Sequence, residues 1–167
     1  MNADELRALQ APWKQKYREH PETALRTLRA QGTVDADSLI CRVVTHAGST
    51  PAGLHPSVGG DGSAACSGEM LLESLVGCAG VTLRAVATAM GLTIRGGTIT
   101  AEGDLDFRGT LGVERQAPVG FLAIRLRFDL DTDADEQQRA NLLRLTERYC
   151  VVFQTLSHPI TISSELR

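Results

Sequence analysis

Residues 68–91, GEMLLESLVGCAGVTLRAVATAMG, constrain this chain more than any other segment, because their apolar periodicity allows one main outcome. Wound at about 100° per residue, Leu72, Val76, Ala79, Leu83, Val86 and Met90 fall on one stripe. Leu71, Leu75, Cys78, Thr82, Ala85 and Ala89 fall on the adjacent one. A helix apolar over more than half its circumference belongs in a core. Glu73 and Arg84 lie inside the stretch, and charges near the middle of a bilayer are costly, so no transmembrane span is expected. Gly77 and Gly80 share the third line with Glu69, Glu73 and Arg84. Each interior glycine costs roughly 1 kcal/mol, so a second helix, or the same helix of a partner subunit, is expected to approach there.

The remaining segments supply layers for this helix. Residues 3–30 read as one or two amphipathic helices, with Pro12 and Pro21 at first-turn positions and Leu6, Leu9, Trp13 and Tyr17 on one docking face. Gln31-Gly32 closes the second of them. Ser38–His46 alternates as a strand, with Leu39, Cys41 and Val43 on one face. Ala47–Ser67 is rich in Gly, Pro and Ser and reads as a long functional loop. Thr93–Phe107 and Gly120–Asp131 read as strands joined by a turn. Ala134–Tyr149 is a polar-faced helix with Leu142 and Leu145 inward, a short helical turn follows Cys150, and Ile160–Leu166 ends the chain as a strand. The expected class is α+β: a long buried central helix packed on an antiparallel sheet. Residues 1–36 form an N-terminal helical extension and 37–167 the main domain.

A net charge of −3 and an aromatic content of 4% argue against nucleic acid as a partner. The charged N-terminal segment lacks the apolar core of a secretory signal, so a cytoplasmic protein without membrane partners is expected. The four cysteines, Cys41, Cys66, Cys78 and Cys150, show neither CxxC nor zinc-type spacing, and no metal or cofactor is expected. In a reducing compartment such thiols are inert core residues or chemically active ones. Cys78 sits mid-helix among apolar neighbours, where burial alone raises a thiol pKa. Cys150 precedes a new helical turn, whose free N–H groups would favour a thiolate. Cys66 is an alternative thiol at the helix entrance. His55 and His158 lack ligand spacing. Gly59–Gly62 lacks the Lys-Ser/Thr of a phosphate loop and reads as a flexible loop. Arg108 is expected to pair with Asp104 or Asp106.

The segment SGEMLLESLVGCAGVTL resembles the central-helix pattern of the OsmC/Ohr family of peroxide-reducing proteins, with Cys78 on the first cysteine. ERYCVVFQTL followed by ITISSEL resembles that family's second-cysteine segment and final strand, with Cys150 on the second. GDLDFRGTLGV is similar to the strand and turn of some members, and the likeness runs from about residue 37 to the end. The resemblance implies an intertwined homodimer with two sites at its interface. It implies that the Cys78 thiolate attacks an organic hydroperoxide, becomes a sulfenic acid, and condenses with Cys150 to a disulfide. A small dithiol or thiol reductant would then restore the pair. The family's peroxidases also carry a Glu ten residues before the first cysteine and an Arg from the early strand-loop region. Here the first position is Gly68, with Glu69 beside it, and HAGSTPAGLHPSVGGDG holds no Arg. Glu69, His46 and His55 are the candidates for these supporting roles. The alternative is the same dimeric scaffold acting without turnover, as a small-molecule binder or redox sensor.

Overall fold

The protein is described by a computed structural model over residues 1–166. Helix α1 spans Ala3–Glu19, and a 3-10 turn covers Pro21–Ala24. Strands β1 (Gly32–Val34), β2 (Cys41–Thr45), β3 (Gly48–Gly53) and β4 (Ala65–Cys66) follow. Helix α2 occupies Ser67–Ala89, and β5 (Ile94–Asp104), the short α3 (Phe107–Thr110) and β6 (Ala123–Thr132) come next. Helices α4 (Glu136–Tyr149) and α5 (Val151–Ser157) complete the regular elements. Strands β1 to β4 form one sheet in sequence order, and β5 pairs with β6 in another. Helices and sheets are segregated along the chain, as in the α+β class.

Contacts group the residues into two compact units. One contains residues 1–15, 74–100 and 126 onward, the other residues 16–73 and 101–125. In the first, Leu83, Ala87, Ile94 and Leu142 form a buried cluster, with Val86, Met90, Leu92, Phe128 and Leu130 packed around it. Leu75, Ala79, Leu83 and Ala87 are the buried positions of α2, four residues apart, so one stripe of the helix is fully enclosed. Val81 on another line is 75% exposed. By length and composition α2 could cross a membrane, but its buried stripe packs within this cluster. Among the described residues, none of the second unit is fully buried, so that unit rests on half-covered side chains.

Leu142 is 2% exposed at the centre of the cluster. Leu142→Ala is expected to destabilise the protein by about 2–5 kcal/mol through lost burial plus a cavity. Denaturant unfolding checks this, with Val113→Ala, at a 73% exposed position, expected to stay within about 0.5 kcal/mol of the parent.

Local chemistry sets the element ends. Asp135 caps α4 by accepting from Gln138 N at 2.8 Å, while the Gln138 side chain accepts from Asp135 N at 2.9 Å. Arg95 on β5 donates to Asp131 and Asp133, and Arg125 on β6 pairs with Asp104 and Glu102. Leu122 N to Asp104 O at one end and Thr132 Oγ1 to Thr93 O at the other show that β5 and β6 run antiparallel. Arg108 pairs with Asp106, whose carboxylate also caps α3.

Several expectations need correction. Residues 25–30 are not helical, and the second N-terminal helix reduces to the Pro21–Ala24 turn. Pro12 lies inside α1, not in its first turn. The segment read as a long loop contains β3, antiparallel to β2 and parallel to β4. Its small residues and Pro51 conceal a strand because they lack the alternating apolar pattern. Proline is tolerated there because β4 pairs only with Ala52 and Gly53, leaving Pro51 off that ladder. Ile160–Leu166 forms no strand among the described residues: Ile160 and Ile162 are 59% and 83% exposed, and an extended segment becomes a strand only when an edge pairs with it. Of the two helix glycines, a Cβ on Gly80 would meet Ile99 Cδ1 at 3.2 Å, whereas one on Gly77 meets nothing. The close approach at Gly80 is thus made by a strand of the same chain.

Candidate functional site

The sequence separates Cys78 from Cys150 by 72 positions, and the fold brings their sulfurs into direct interaction. Cys78 is partly exposed on α2 and Cys150 is 1% exposed; both are free thiols. Cys150 occupies the junction of α4 and α5, where extended backbone angles (φ −76°, ψ 110°) end one helix and start the next. Its N–H still donates to Thr146 O at 2.9 Å, and its carbonyl accepts from Gln154 N at 2.9 Å. This junction leaves the first N–H groups of α5 free of intrahelical partners and close to both sulfurs.

The two thiols are polarised in opposite directions. Burial works against ionising Cys78. It is outweighed by the Val152 N–H, the Cys150 thiol, the Val151 N–H and the Thr82 hydroxyl, all of which favour a negative sulfur. The Cys78 pKa is therefore held below the usual thiol range. For Cys150, burial raises the pKa and the adjacent Cys78 sulfur raises it further, against opposing contributions from the Phe153 and Val152 N–H groups. One sulfur is set to ionise and its neighbour to keep a proton. The amides of α5 act on both sulfurs: at Cys150 they favour the thiolate, as the sequence predicts, but burial and the Cys78 sulfur outweigh them, whereas at Cys78 they prevail.

By periodicity Thr82 is only a position on the second stripe of α2, yet its hydroxyl favours the Cys78 anion. It stands one helical turn beyond Cys78, and that (i, i+4) spacing of a hydroxyl from a cysteine is the signal that marks it.

Glu69 and His55 line a different cavity, together with Cys66, Phe107 and Phe121. Nine residues separate Glu69 from Cys78 on α2, a rotation of about 900°, so the two point to opposite faces of the same helix. His46 lies in the exposed turn between β2 and β3. Cys66 belongs to β4, and Cys150, not Cys66, interacts with the Cys78 sulfur.

Structural relatives share this fold at low identity. An OsmC-like protein from Mycoplasma pneumoniae superposes with a TM-score of 0.66 at 17% identity, covering 79% of this chain and 88% of its own. An OsmC-like protein of unknown function from Vibrio cholerae gives 0.64 at 14% identity, with 78% and 94% covered. The organic hydroperoxide resistance protein OsmC from Legionella pneumophila, described as a predicted redox protein, gives 0.56 at 17% identity, with 79% and 90% covered. No functionally curated protein matches the chain. The OsmC-like protein family model matches residues 60–165, a stretch that takes in α2, both cysteines of the pair and α5. Because that match spans well over half of the sequence, the chain belongs to the OsmC-like family.

Proposed function

We propose that this protein is a cytoplasmic, thiol-dependent reductase of organic hydroperoxides, with Cys78 as the nucleophile and Cys150 as the resolving thiol. The observation that carries the reading is the opposed polarisation of two interacting sulfurs, one favouring the thiolate and the other the thiol. The Cys78 thiolate attacks the distal peroxide oxygen, the O–O bond breaks, and the alkoxide leaves to take a proton as the alcohol. Cys78 is then a sulfenic acid. The Cys150 sulfur, giving up its proton, displaces the hydroxyl as water and forms the Cys78–Cys150 disulfide. A small dithiol takes the disulfide's place as the oxidised species and returns both thiols.

A homodimer completes this reading. The exposed Val81 of α2, the unpaired Ile160 and Ile162, and the absence of a fully buried side chain among the described residues of the second unit leave apolar surface for a second copy to cover. Glu69 lies on the opposite face of α2 from Cys78, so it supports a thiolate only across such a dimer. A non-catalytic reading, binding or sensing without turnover, is favoured by Gly68 standing in place of the family glutamate.

One experiment separates the two readings. The reduced protein is treated with one equivalent of cumene hydroperoxide, its thiols are titrated, and its peptides are mapped. The loss of two thiols per chain, a Cys78–Cys150 crosslink and recovery with dithiothreitol are expected. Retention of all thiols would overturn the peroxidase reading.

A further inference from the structure

Within the first unit, β6 and α4 line a cavity of about 360 Å³. This is the size range of small-molecule sites. Leu83 and Leu142, 4% and 2% exposed, join it to the buried cluster, and Leu126, Phe128 and Leu143 extend its apolar lining. None of the groups that act on the Cys78 or Cys150 sulfur lines it, and neither do Gly68 and Glu69. Arg139, Leu142, Leu143 and Glu147 line it at helical spacing, so the cavity follows two turns of α4, about 12 Å from Arg139 to Glu147.

The charged residues of the lining are Arg127, Arg139 and Glu147, a net charge of +1. Arg139 is anchored without being neutralised. Its Nε donates to Ala134 O at 2.7 Å and its Nη2 to Thr132 O at 3.3 Å, so two backbone carbonyls fix the guanidinium at one end of the cavity. These contacts use two of its five N–H groups. Among the described residues, no carboxylate forms an ion pair with it. Nearby acids are engaged elsewhere: Asp135 caps α4 through Gln138 N, and Asp131 and Asp133 pair with Arg95. A cation in the first turn of a helix also works against the helix dipole, which a bound anion offsets.

We infer that this cavity binds aliphatic monocarboxylates, with the carboxylate on the Arg139 guanidinium and the alkyl chain lying between α4 and β6 toward Glu147. The match is one of charge, surface and length. A planar guanidinium presents paired N–H groups that a carboxylate accepts, and leucine walls take methylene groups out of water. A chain of about eight carbons fits between the Arg139 head group and Glu147. The Glu147 carboxylate repels a second anionic group at the far end, so monocarboxylates are preferred to dicarboxylates. No bond forms or breaks, and binding requires neither sulfur of the Cys78–Cys150 pair.

Isothermal titration calorimetry of the reduced wild-type protein with sodium octanoate tests the site. Saturable binding of one octanoate per chain is expected. It should be tighter by about tenfold or more than binding of 1-octanol, which lacks the charge, or octanedioate, which carries a second carboxylate. Arg139→Gln should weaken octanoate binding by about tenfold or more, with Arg139→Lys, which keeps the charge but not the fork, between the two. Leu143→Glu, at a 42% exposed position, adds a carboxylate to the lining and should abolish saturation in a protein whose circular dichroism matches the wild type. Absence of saturable binding to the wild type overturns the proposal without any variant, as does equal affinity for octanoate and 1-octanol. Octanoate bound equally by the wild type and by folded Arg139→Gln and Leu143→Glu proteins would place the ligand elsewhere and overturn it too. Peroxide-driven crosslinking of Cys78 and Cys150 is a separate readout, so either reading can fail alone.

Discussion

Replacing Cys78 by serine is expected to lower kcat/KM for organic hydroperoxide reduction by about 10³-fold or more, as for the loss of other catalytic nucleophiles. The change swaps sulfur for oxygen in a side chain of nearly the same shape, so the α2 stripe of Leu75, Ala79, Leu83 and Ala87 keeps its packing. What disappears is the anion. A serine hydroxyl stays protonated at neutral pH even with the Val151 and Val152 amides nearby, and a neutral hydroxyl attacks the peroxide bond poorly. A loss of 10³-fold corresponds to about 4 kcal/mol of transition-state stabilisation. Steady-state turnover of cumene hydroperoxide with excess dithiothreitol measures it, and circular dichroism checks that the variant folds. A Cys78→Ser protein turning over at the wild-type rate would remove the nucleophile from the mechanism.

Substitution of Cys150 should separate resolution from attack. Cys150→Ser is expected to release one equivalent of alcohol per chain and then stall, because the sulfenic acid at Cys78 has lost its internal partner. Sustained turnover should fall by about 10²-fold, with residual flux from direct attack by the external thiol. The same position tunes ionisation. Burial opposes the Cys78 thiolate, and the Val152 amide and the Cys150 thiol oppose burial. The pH midpoint for iodoacetamide alkylation of Cys78 is therefore expected below the usual thiol range, with the rate falling as pH drops through it. Cys150→Ala removes one donor and should move that midpoint upward. Cys150→Ser retains a hydroxyl donor and should hold it near the wild-type position. A midpoint indifferent to both changes would mean that Cys150 takes no part in stabilising the thiolate.

Much of this architecture is legible in the chain because it depends on local periodicity. The apolar run of α2 announces a core helix, the polar-faced periodicity of residues 134–149 announces α4, and the alternation of residues 122–130 announces β6. Strand β3 escapes such reading because Gly, Ser, Pro and Ala carry no alternating pattern, and only pairing with β2 and β4 makes GSTPAG a strand. The reverse holds for ITISSEL, which alternates well but meets no partner edge among the described residues. Alternation marks a capacity to pair, and the pairing itself is a long-range event.

The site divides along the same line. Reading along the chain singles out the side chains with the chemistry: a cysteine inside a core helix, a second ahead of a helical turn, and a likeness to a peroxide-reducing family that links them. Folding in three dimensions is what makes the two sulfurs interact, lets the α5 amides favour the anion on Cys78, and sets Glu69 and His55 in a cavity with Cys66. The difference is one of range. Periodicity and capping act over a few residues, whereas the charge state of a sulfur depends on donors brought to it from 73 and 74 positions away.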